Sequence, residues 1–506
     1  MDELRVLQTT AFISGASVMV VEILGSRLFA PYFGSSTYVW SALIGVILAS
    51  LSLGYYIGGR QADVNPSKRK LSSVLLAASA LVFAIPLLAP HVAAFSLVAG
   101  YRVGPLIYAL ILFSLPNVLL GIVPPYTIKL AAKSLGKIGS VAGDLYALST
   151  VGSIVGTLMT GFVLIPLLPV TGIFIGVALA LFIASVIVWK PSKYNLALYL
   201  GVALIISAAS LSVGGRVWLQ QGEKKIYEKY TPYQRILVVD DEAKKTRKMV
   251  LDFLYSGEVQ SNTNLTVYDY IKFYEIPFIL RGNISSVYMI GEGSGTGALQ
   301  IRMAHPNTRV LVAELDPEVH KTAVDYFSLA EDENLVVELG DGRQILQQSS
   351  EQYDLVILDA FRSIYSIPTH LTTAEFFRQV RTHLKPEGVL EINAVSSLDD
   401  DSIFLKSLCK TMENEFKYVY FYPVDSTLDS ARLQNIMVLA SNKQLETPDR
   451  SELSGYNSTL FEKEKLWDMV NHRITWYNCS EGMVMTDDYS PTDYLIEPMM
   501  GKAFTF

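Results

Sequence analysis

The chain has 506 residues, 50% of them hydrophobic and 18% charged, with a net charge of −7. That is too apolar for an ordinary soluble domain and long enough for more than one, so a membrane portion is expected beside a soluble one. The negative balance supplies no field to hold a polyanion and excludes nucleic acid as an expected partner. Cys409 and Cys479 are too few for a disulfide framework or a zinc site, and do not by themselves report the redox compartment. The six histidines show no ligand spacing, so no metal is expected.

Up to Val213 the chain consists of apolar stretches, each near the ~20 residues a helix needs to cross hydrocarbon. Seven are predicted: Thr10 to Phe29, Tyr38 to Gly58, Leu71 to Ala89, Pro105 to Val123, Leu145 to Leu168, Thr171 to Trp189 and Asn195 to Val213. A soluble helical core would need polar faces at helical spacing, and Leu71 to Ala89 has almost no polar residue except serine. Residues 1–213 therefore read as an all-α transmembrane bundle, multi-pass in the cell membrane with the lipid bilayer as its partner. Glu22 lies inside the first stretch, a costly place for a carboxylate, and Pro116, Pro124 and Pro125 break or kink the fourth.

The positive-inside rule puts three loops in the cytoplasm: the one with Arg60, Lys68, Arg69 and Lys70, the one with Lys129, Lys133 and Lys137, and the one with Lys190 and Lys193. Seven crossings would then leave the C-terminal half outside, away from any cytosolic co-substrate. Either one stretch does not cross, the last being the candidate that preserves the other loops, or an eighth crossing is hidden, or the site faces outward; the cytoplasmic side is expected on chemical grounds.

After Gly214 charged residues return. Residues 214–285 read as a linker and a small β-hairpin region, the hairpin running from Arg235 to Leu254. From Ser286 the runs SVYMIG, RVLVAEL, NLVVEL, YDLVILD and GVLEINAV are separated by helix-length segments. That is the pattern of a parallel sheet with crossover helices, and KYVYFY and QNIMVLA complete a seven-stranded sheet. Residues 286–506 are thus an α/β, Rossmann-like domain.

The chemistry concentrates at strand ends. SVYMI runs into Gly291, Glu292, Gly293, Gly295 and Gly297 and then a helix, a loop whose backbone can approach a ligand beside a helix N-terminus. RVLVAELD ends in an acid about 20 residues on, from which Glu314 can accept hydrogen bonds from both ribose hydroxyls. Asp341 and Gly342 of GDGR close the third strand, with Asp341 placed to meet an adenine amino group, and Asp359 of LDAF closes the fourth. Each acid alone reads equally well as a helix cap. Together they converge on one crevice, because open α/β sheets bind ligands at the carboxyl ends of their strands.

On these residues the chain resembles the spermidine synthase family, in its membrane-fused form with an N-terminal bundle. The resemblance rests on FISGASVMVVEILGSRLFAPYFGSS, LGYYIGGRQAD and DLYALSTVGSIVGTLMTGFVLIP in the bundle, and on YTPYQ, GEVQ, the glycine loop, AELDPEV, GDGR, LDAF, IPTHLTTAEFF and TDDYSP beyond it. It implies a domain with the methyltransferase and spermidine synthase fold, whose co-substrate is decarboxylated S-adenosylmethionine or S-adenosylmethionine, and a homo-oligomer. Gln234 and Gln260 would contact that co-substrate, Glu314 its ribose, Asp341 its base, and Asp359 would sit at the reacting centre. The implied reaction is aminopropyl transfer to an amine-bearing small molecule or lipid-linked acceptor. S-adenosylmethionine-dependent methyl transfer is the alternative within the fold, and a transporter or sensor with a nucleoside-binding domain is the alternative outside it.

The departures bear on the acceptor. Ser294 stands where the family's glycine loop has an acid, and Arg362 where a second acid would hold an ammonium. Tyr268 and Asp269 stand for a Tyr-His pair. Like charges a few ångströms apart cost ~1–4 kcal/mol, so Arg362 would repel a free diamine. Asp359 can take a proton from the attacking nitrogen. His370, in IPTHLTT, is the histidine expected near the site, or else a helix-start residue satisfied by backbone. Glu292 is expected near the donor's tail, where a carboxylate suits the ammonium of an aminopropyl donor and repels the carboxylate of S-adenosylmethionine.

Overall fold

The computed structural model of the chain describes residues 3–34, 36–132, 138–189, 201, 222–252, 254–261, 263, 265–360, 368–454, 456 and 461–499. It divides into two compact units, Met1–Trp218 with Tyr230–Pro232, and Leu219–Lys229 with Tyr233–Phe506.

The first unit contains, among the described residues, six helices long and apolar enough to cross a membrane. They are α1 (Glu3–Phe33), α2 (Thr37–Val64), α3 (Lys68–Leu97), α4 (Gly100–Ala131), α5 (Ile138–Met159) and α6 (Val170–Val188); α5 continues through a π-helical turn at Thr160–Leu164. The seventh predicted stretch, Asn195 to Val213, lies outside the described residues apart from Gly201, as do Lys133, Lys137, Lys190 and Lys193. Small residues let these helices touch backbone to backbone. A methyl group added at Gly15 would lie 2.1 Å from the Ser149 carbonyl oxygen, and one at Gly54 would lie 2.3 Å from that of Val118. The prolines expected to break or kink the fourth span, Pro116, Pro124 and Pro125, lie inside α4, which runs on past them.

The second unit opens with four strands, β1 (Glu223–Tyr230), β2 (Arg235–Asp241), β3 (Thr246–Leu251) and β4 (Leu254–Gln260), in the order β1-β2-β3-β4. The single predicted hairpin is therefore the centre of a larger sheet. EKKIYEKY is too charged to announce β1, which reaches the sheet through its register and not its composition.

A seven-stranded sheet follows, built from β5 (Ser286–Ile290), β6 (Arg309–Glu314), β7 (Leu335–Leu339), β8 (Tyr353–Leu358), β9 (Leu384–Ser396), β10 (Tyr418–Pro423) and β11 (Gln434–Ser441). Its order is β10-β11-β9-β8-β5-β6-β7. β9, β8, β5, β6 and β7 pair in parallel, and β11 runs antiparallel to both its neighbours. The β8 run YDLVIL is buried throughout, as expected of a strand covered on both faces. The order leaves the carboxyl ends of six strands and the start of β11 on one edge. The helices that matter for that edge are α7 (Thr296–Ala304), α8 (Pro317–Phe327), α9 (Gly342–Gln348), α10 (Ala374–His383), α11 (Ile403–Glu413) and α12 (Lys463–Asn471).

Cys409 on α11 is disulfide-bonded to Cys479, 70 residues on, and both are buried. The neighbouring backbone is held as well, since Met485 donates to Thr411 and accepts from Ala374 at 2.9 Å each.

Candidate functional site

A cavity of about 460 Å³ runs along the carboxyl edge of the seven-stranded sheet. Its wall collects residues from the ends of β5, β6, β7 and β8, from β9, from the start of β11 and from the loop after β10.

Gly291 leaves β5 with φ of +96°, and a side chain there would meet the Asp359 carbonyl oxygen at 2.2 Å. Glycine is what allows two strand ends to close to this distance. Gly293 and Gly295 also have positive φ; Gly295 caps α7, and it does not line the cavity.

Glu314 ends β6 and is 7% exposed. Its carboxylate accepts from the backbone N–H of Glu292 at 3.1 Å and of Asp316 at 2.8 Å. Burial pushes its pKa up to about 7, and those amides hold it from rising further. Asp341 caps α9 through the Gln344 amide at 3.0 Å, while its other oxygen lies 3.1 Å from His370 Nε2. Asp341 is thus both a helix cap and part of the cavity wall, and His370 joins it there. His370 also carries the backbone carbonyl that accepts from Arg343.

Asp359, at the end of β8, accepts from Tyr274 Oη at 2.6 Å and from Asn393 Nδ2 at 2.9 Å. Burial raises its pKa, and Tyr274, Asn393 and Tyr270 oppose the rise by hydrogen bonding the ionised form. Asn393 is held in turn, its Oδ1 accepting from Asn435 Nδ2 at 2.8 Å. Glu391, two residues earlier on β9, is fully buried with neither carboxyl oxygen partnered among the described residues. Burial first, and the charge of Asp359 second, keep it protonated well above the ordinary carboxylate range.

Glu292 lines the cavity, yet its side chain has no exposure and faces α8, where His320 Nδ1 lies 3.0 Å and 3.2 Å from its two oxygens. Burial, then Glu314 and Glu331, raise its pKa to about 9, so it is a neutral acid near pH 7. Glu292 thus shares its carboxyl with His320 on the neighbouring helix while lining the cavity. His320 has no motif in the sequence and was not foreseen.

Gln234, Tyr268, Asp269 and Gly342 also reach the cavity. Asp269 is largely exposed; burial works upward on it and its ion pairs with Lys272 and Lys465 outweigh that, so its pKa is lowered. Gln260 is not among the residues that line the cavity. It lies at the exposed end of β4, opposite Thr246 and bonded to Thr263, while Tyr255 and Ser256 of the same strand do line it. Arg362 lies outside the described residues. Eight acidic residues and two histidines line the cavity, with no lysine or arginine among the described residues.

A glycine turn and strand-end acids around one crevice at the carboxyl edge of the sheet form the arrangement in which open α/β folds bind ligands. Residues 272–444 match the spermine/spermidine synthase domain. The chain is 32% identical over 137 residues to a probable polyamine aminopropyl transferase of Bifidobacterium longum, covering 27% of this chain and 30% of that one. It is 23% identical over 286 residues to a polyamine aminopropyltransferase of Vibrio vulnificus, covering 53% and 91%. Among solved structures, a probable spermidine synthase from Corynebacterium glutamicum aligns with a TM-score of 0.42 at 18% identity, over 52% of this chain and 96% of that one. Residues 272–444, in the second unit, are thus similar to a spermine/spermidine synthase domain, and the first unit holds, among the described residues, six helices long and apolar enough to cross a membrane.

Proposed function

We propose that the protein is an integral-membrane aminopropyltransferase, moving the aminopropyl group of decarboxylated S-adenosylmethionine to an amine acceptor. The observation that carries this reading is the sign of the cavity wall: eight acidic residues, of which Glu292 is neutral and Glu314 half ionised near pH 7, and no lysine or arginine among the described lining residues. A sulfonium donor with an ammonium tail suits such a wall. S-adenosylmethionine brings in addition a carboxylate, which would meet acidic residues and, among the described lining residues, no lysine or arginine to pair with. The residues suit a nucleoside: the turn at Gly291 and Gly293 brings backbone to the cavity wall, Glu314 would offer acceptor oxygens to a ribose, and Asp341 and His370 line the same cavity for the base.

In this reading the acceptor nitrogen arrives as an ammonium and gives a proton to Asp359. Its lone pair then forms a bond to the donor's methylene carbon as the carbon–sulfur bond breaks, and that bond's electron pair stays on sulfur as a neutral thioether. Asp359 is suited to the role because Tyr274 and Asn393 fix both its oxygens while burial raises its basicity. The sulfonium is a good leaving group, so holding nitrogen and carbon in line supplies much of the acceleration. Gln234, Tyr268 and Asp269 would border the reacting groups.

Detergent-purified protein given decarboxylated S-adenosylmethionine and a mixture of amines should form a thioether nucleoside and an amine heavier by one aminopropyl group, both read by mass spectrometry. Transfer of a methyl group instead, or no nucleoside product, would defeat the reading.

A further inference from the structure

The segment from Cys479 to Tyr489, which carries the start of TDDYSP, runs back across the domain as a strap that the transfer chemistry does not use. It begins along α11. Cys479 is bonded to Cys409, the Met483 backbone N–H donates to Ser407 Oγ at 3.2 Å, and that of Met485 donates to Thr411 Oγ1 at 2.9 Å. Gly482 lies so close to this helix that a methyl group added there would meet the Lys406 carbonyl oxygen at 2.1 Å. The Met485 carbonyl then accepts from the Ala374 amide at 2.9 Å, which brings the strap to the start of α10.

Asp487, two residues on, joins α9 to α10. Its carboxylate takes the Arg343 guanidinium as a fork, Nη1 to Oδ1 at 2.7 Å and Nη2 to Oδ2 at 2.6 Å. Oδ1 also accepts from the Thr373 hydroxyl at 2.7 Å, and the Asp487 backbone N–H donates to Glu375 Oε2 at 2.9 Å. Thr373 is the residue that caps α10.

Arg343 follows Asp341 by two residues, so this fork is made beside the cavity wall. A two-pronged pair fixes the plane of a guanidinium, which a single contact does not. Held in that plane, Nη1 also donates to the His370 carbonyl at 2.8 Å, and His370 Nε2 lies 3.1 Å from Asp341 Oδ2. A chain of contacts thus leads from Asp487 through Arg343 and His370 to Asp341, and the last two line the cavity. The other carboxylates whose charge acts on Arg343 are Glu375 and Asp341. Released from Asp487, the guanidinium would turn to them. A pair with Asp341 would occupy the acceptor that an amino group needs and bring a cation to a wall that has no lysine or arginine among its described residues.

We infer that Asp487 is the positioning residue of the base end of the cavity: by holding Arg343 it fixes His370 against Asp341 and keeps Asp341 open to the 6-amino group of a purine. The inference rests on the nucleoside-binding part of the transfer reading. It is tested by calorimetric titration of the full chain in detergent with methylthioadenosine and with methylthioinosine, which carries an oxo group in place of the amino group. The unaltered protein should prefer methylthioadenosine by about tenfold or more, the magnitude of one hydrogen bond to a charged group. Asp487→Asn keeps the size of the side chain and removes its charge. It should weaken methylthioadenosine by about tenfold and methylthioinosine by less than about threefold, so that the preference collapses. Arg343→Gln breaks the same fork from the other side and should give the same collapse, which keeps the test open if one variant does not fold. The double variant should be no worse than either single one, because the two residues act as a unit. Loss of both nucleosides by one factor is what a merely structural strap would give. That outcome, a preference unchanged in both variants, or no preference in the unaltered protein overturns the inference and leaves the transfer reading standing. Binding of neither nucleoside by the unaltered protein overturns both.

Discussion

Glu314 should make nucleoside binding depend on pH in a defined direction. In the free protein its pKa is about 7, raised by burial above the ordinary 4.5, so half the molecules carry a proton there near neutrality. A carboxyl that accepts from both ribose hydroxyls must be ionised, so binding expels that proton. Affinity then rises with pH and levels off above pH 7. With a pKa of about 7, the dissociation constant at pH 6 should be about tenfold above its plateau and that at pH 8 within about 10% of it, a difference of about 1.4 kcal/mol. The same shift works on the fold with its own sign. Glu314 contributes stability below pH 4.5 that is lost as pH rises toward 7, and a bound nucleoside offsets the loss. Glu292 keeps its proton through this window, since its pKa is about 9. The assay is calorimetric titration with methylthioadenosine, which lacks the transferred group, at pH 6, 7 and 8 in two buffers of different ionisation enthalpy. Near one proton should be released per site at pH 6 and almost none at pH 8. Glu314→Gln should abolish the pH step and weaken binding by about 1.5–3 kcal/mol, the loss of a hydrogen bond to a charged group. An affinity that is flat from pH 6 to 8, or that falls as pH rises, would refute the reasoning.

Asp359→Asn should leave nucleoside affinity within about twofold while lowering kcat by about 10²–10⁴, the usual share of general-base catalysis; retained turnover removes Asp359 as the base. Gly291→Ala forces a methyl group to within 2.2 Å of the Asp359 carbonyl at a φ of +96°, so nucleoside binding should be lost before thermal stability is, and an unaffected affinity would show that the turn is not the cradle. The Cys409–Cys479 bond bears on sidedness, because disulfides are rare in reducing cytoplasm. Protein alkylated under denaturing conditions straight from native membranes should carry no free thiol, which sets the catalytic unit on the oxidising face and leaves the donor to be supplied across the membrane. Two labelled thiols would return the unit to the cytoplasm, the side expected from where the donor is made.

What could be read beforehand was what is local in the chain. The glycine turn, Glu314, Asp341 and Asp359 each follow directly on an apolar run, and the rule that parallel strands gather their carboxyl ends is enough to bring them together. What escaped depends on pairing between distant segments. His320 meets Glu292 only because α8 packs against the glycine turn. Asp425 and Asp468 reach the cavity from a loop and a helix without any motif. Asn393 and Glu391 did leave a signal, being polar residues inside the apolar run GVLEINAV, and a buried polar group in a central strand needs a partner or a purpose. Gln260, opposite Thr246 at the exposed end of β4, shows where a motif alone does not give a side chain's surroundings. The bundle was legible as spans from hydropathy alone, but its helix contacts follow from glycines whose partners sit more than 60 residues away.

The central claim is that the cavity takes a doubly cationic donor lacking a carboxylate. Titration of the purified protein with decarboxylated S-adenosylmethionine and, separately, with S-adenosylmethionine tests it most directly. The decarboxylated form should bind at least about tenfold tighter, as expected when a carboxylate meets acidic residues and, among the described lining residues, no lysine or arginine. Tighter binding of S-adenosylmethionine would contradict the account and turn the site toward methyl transfer.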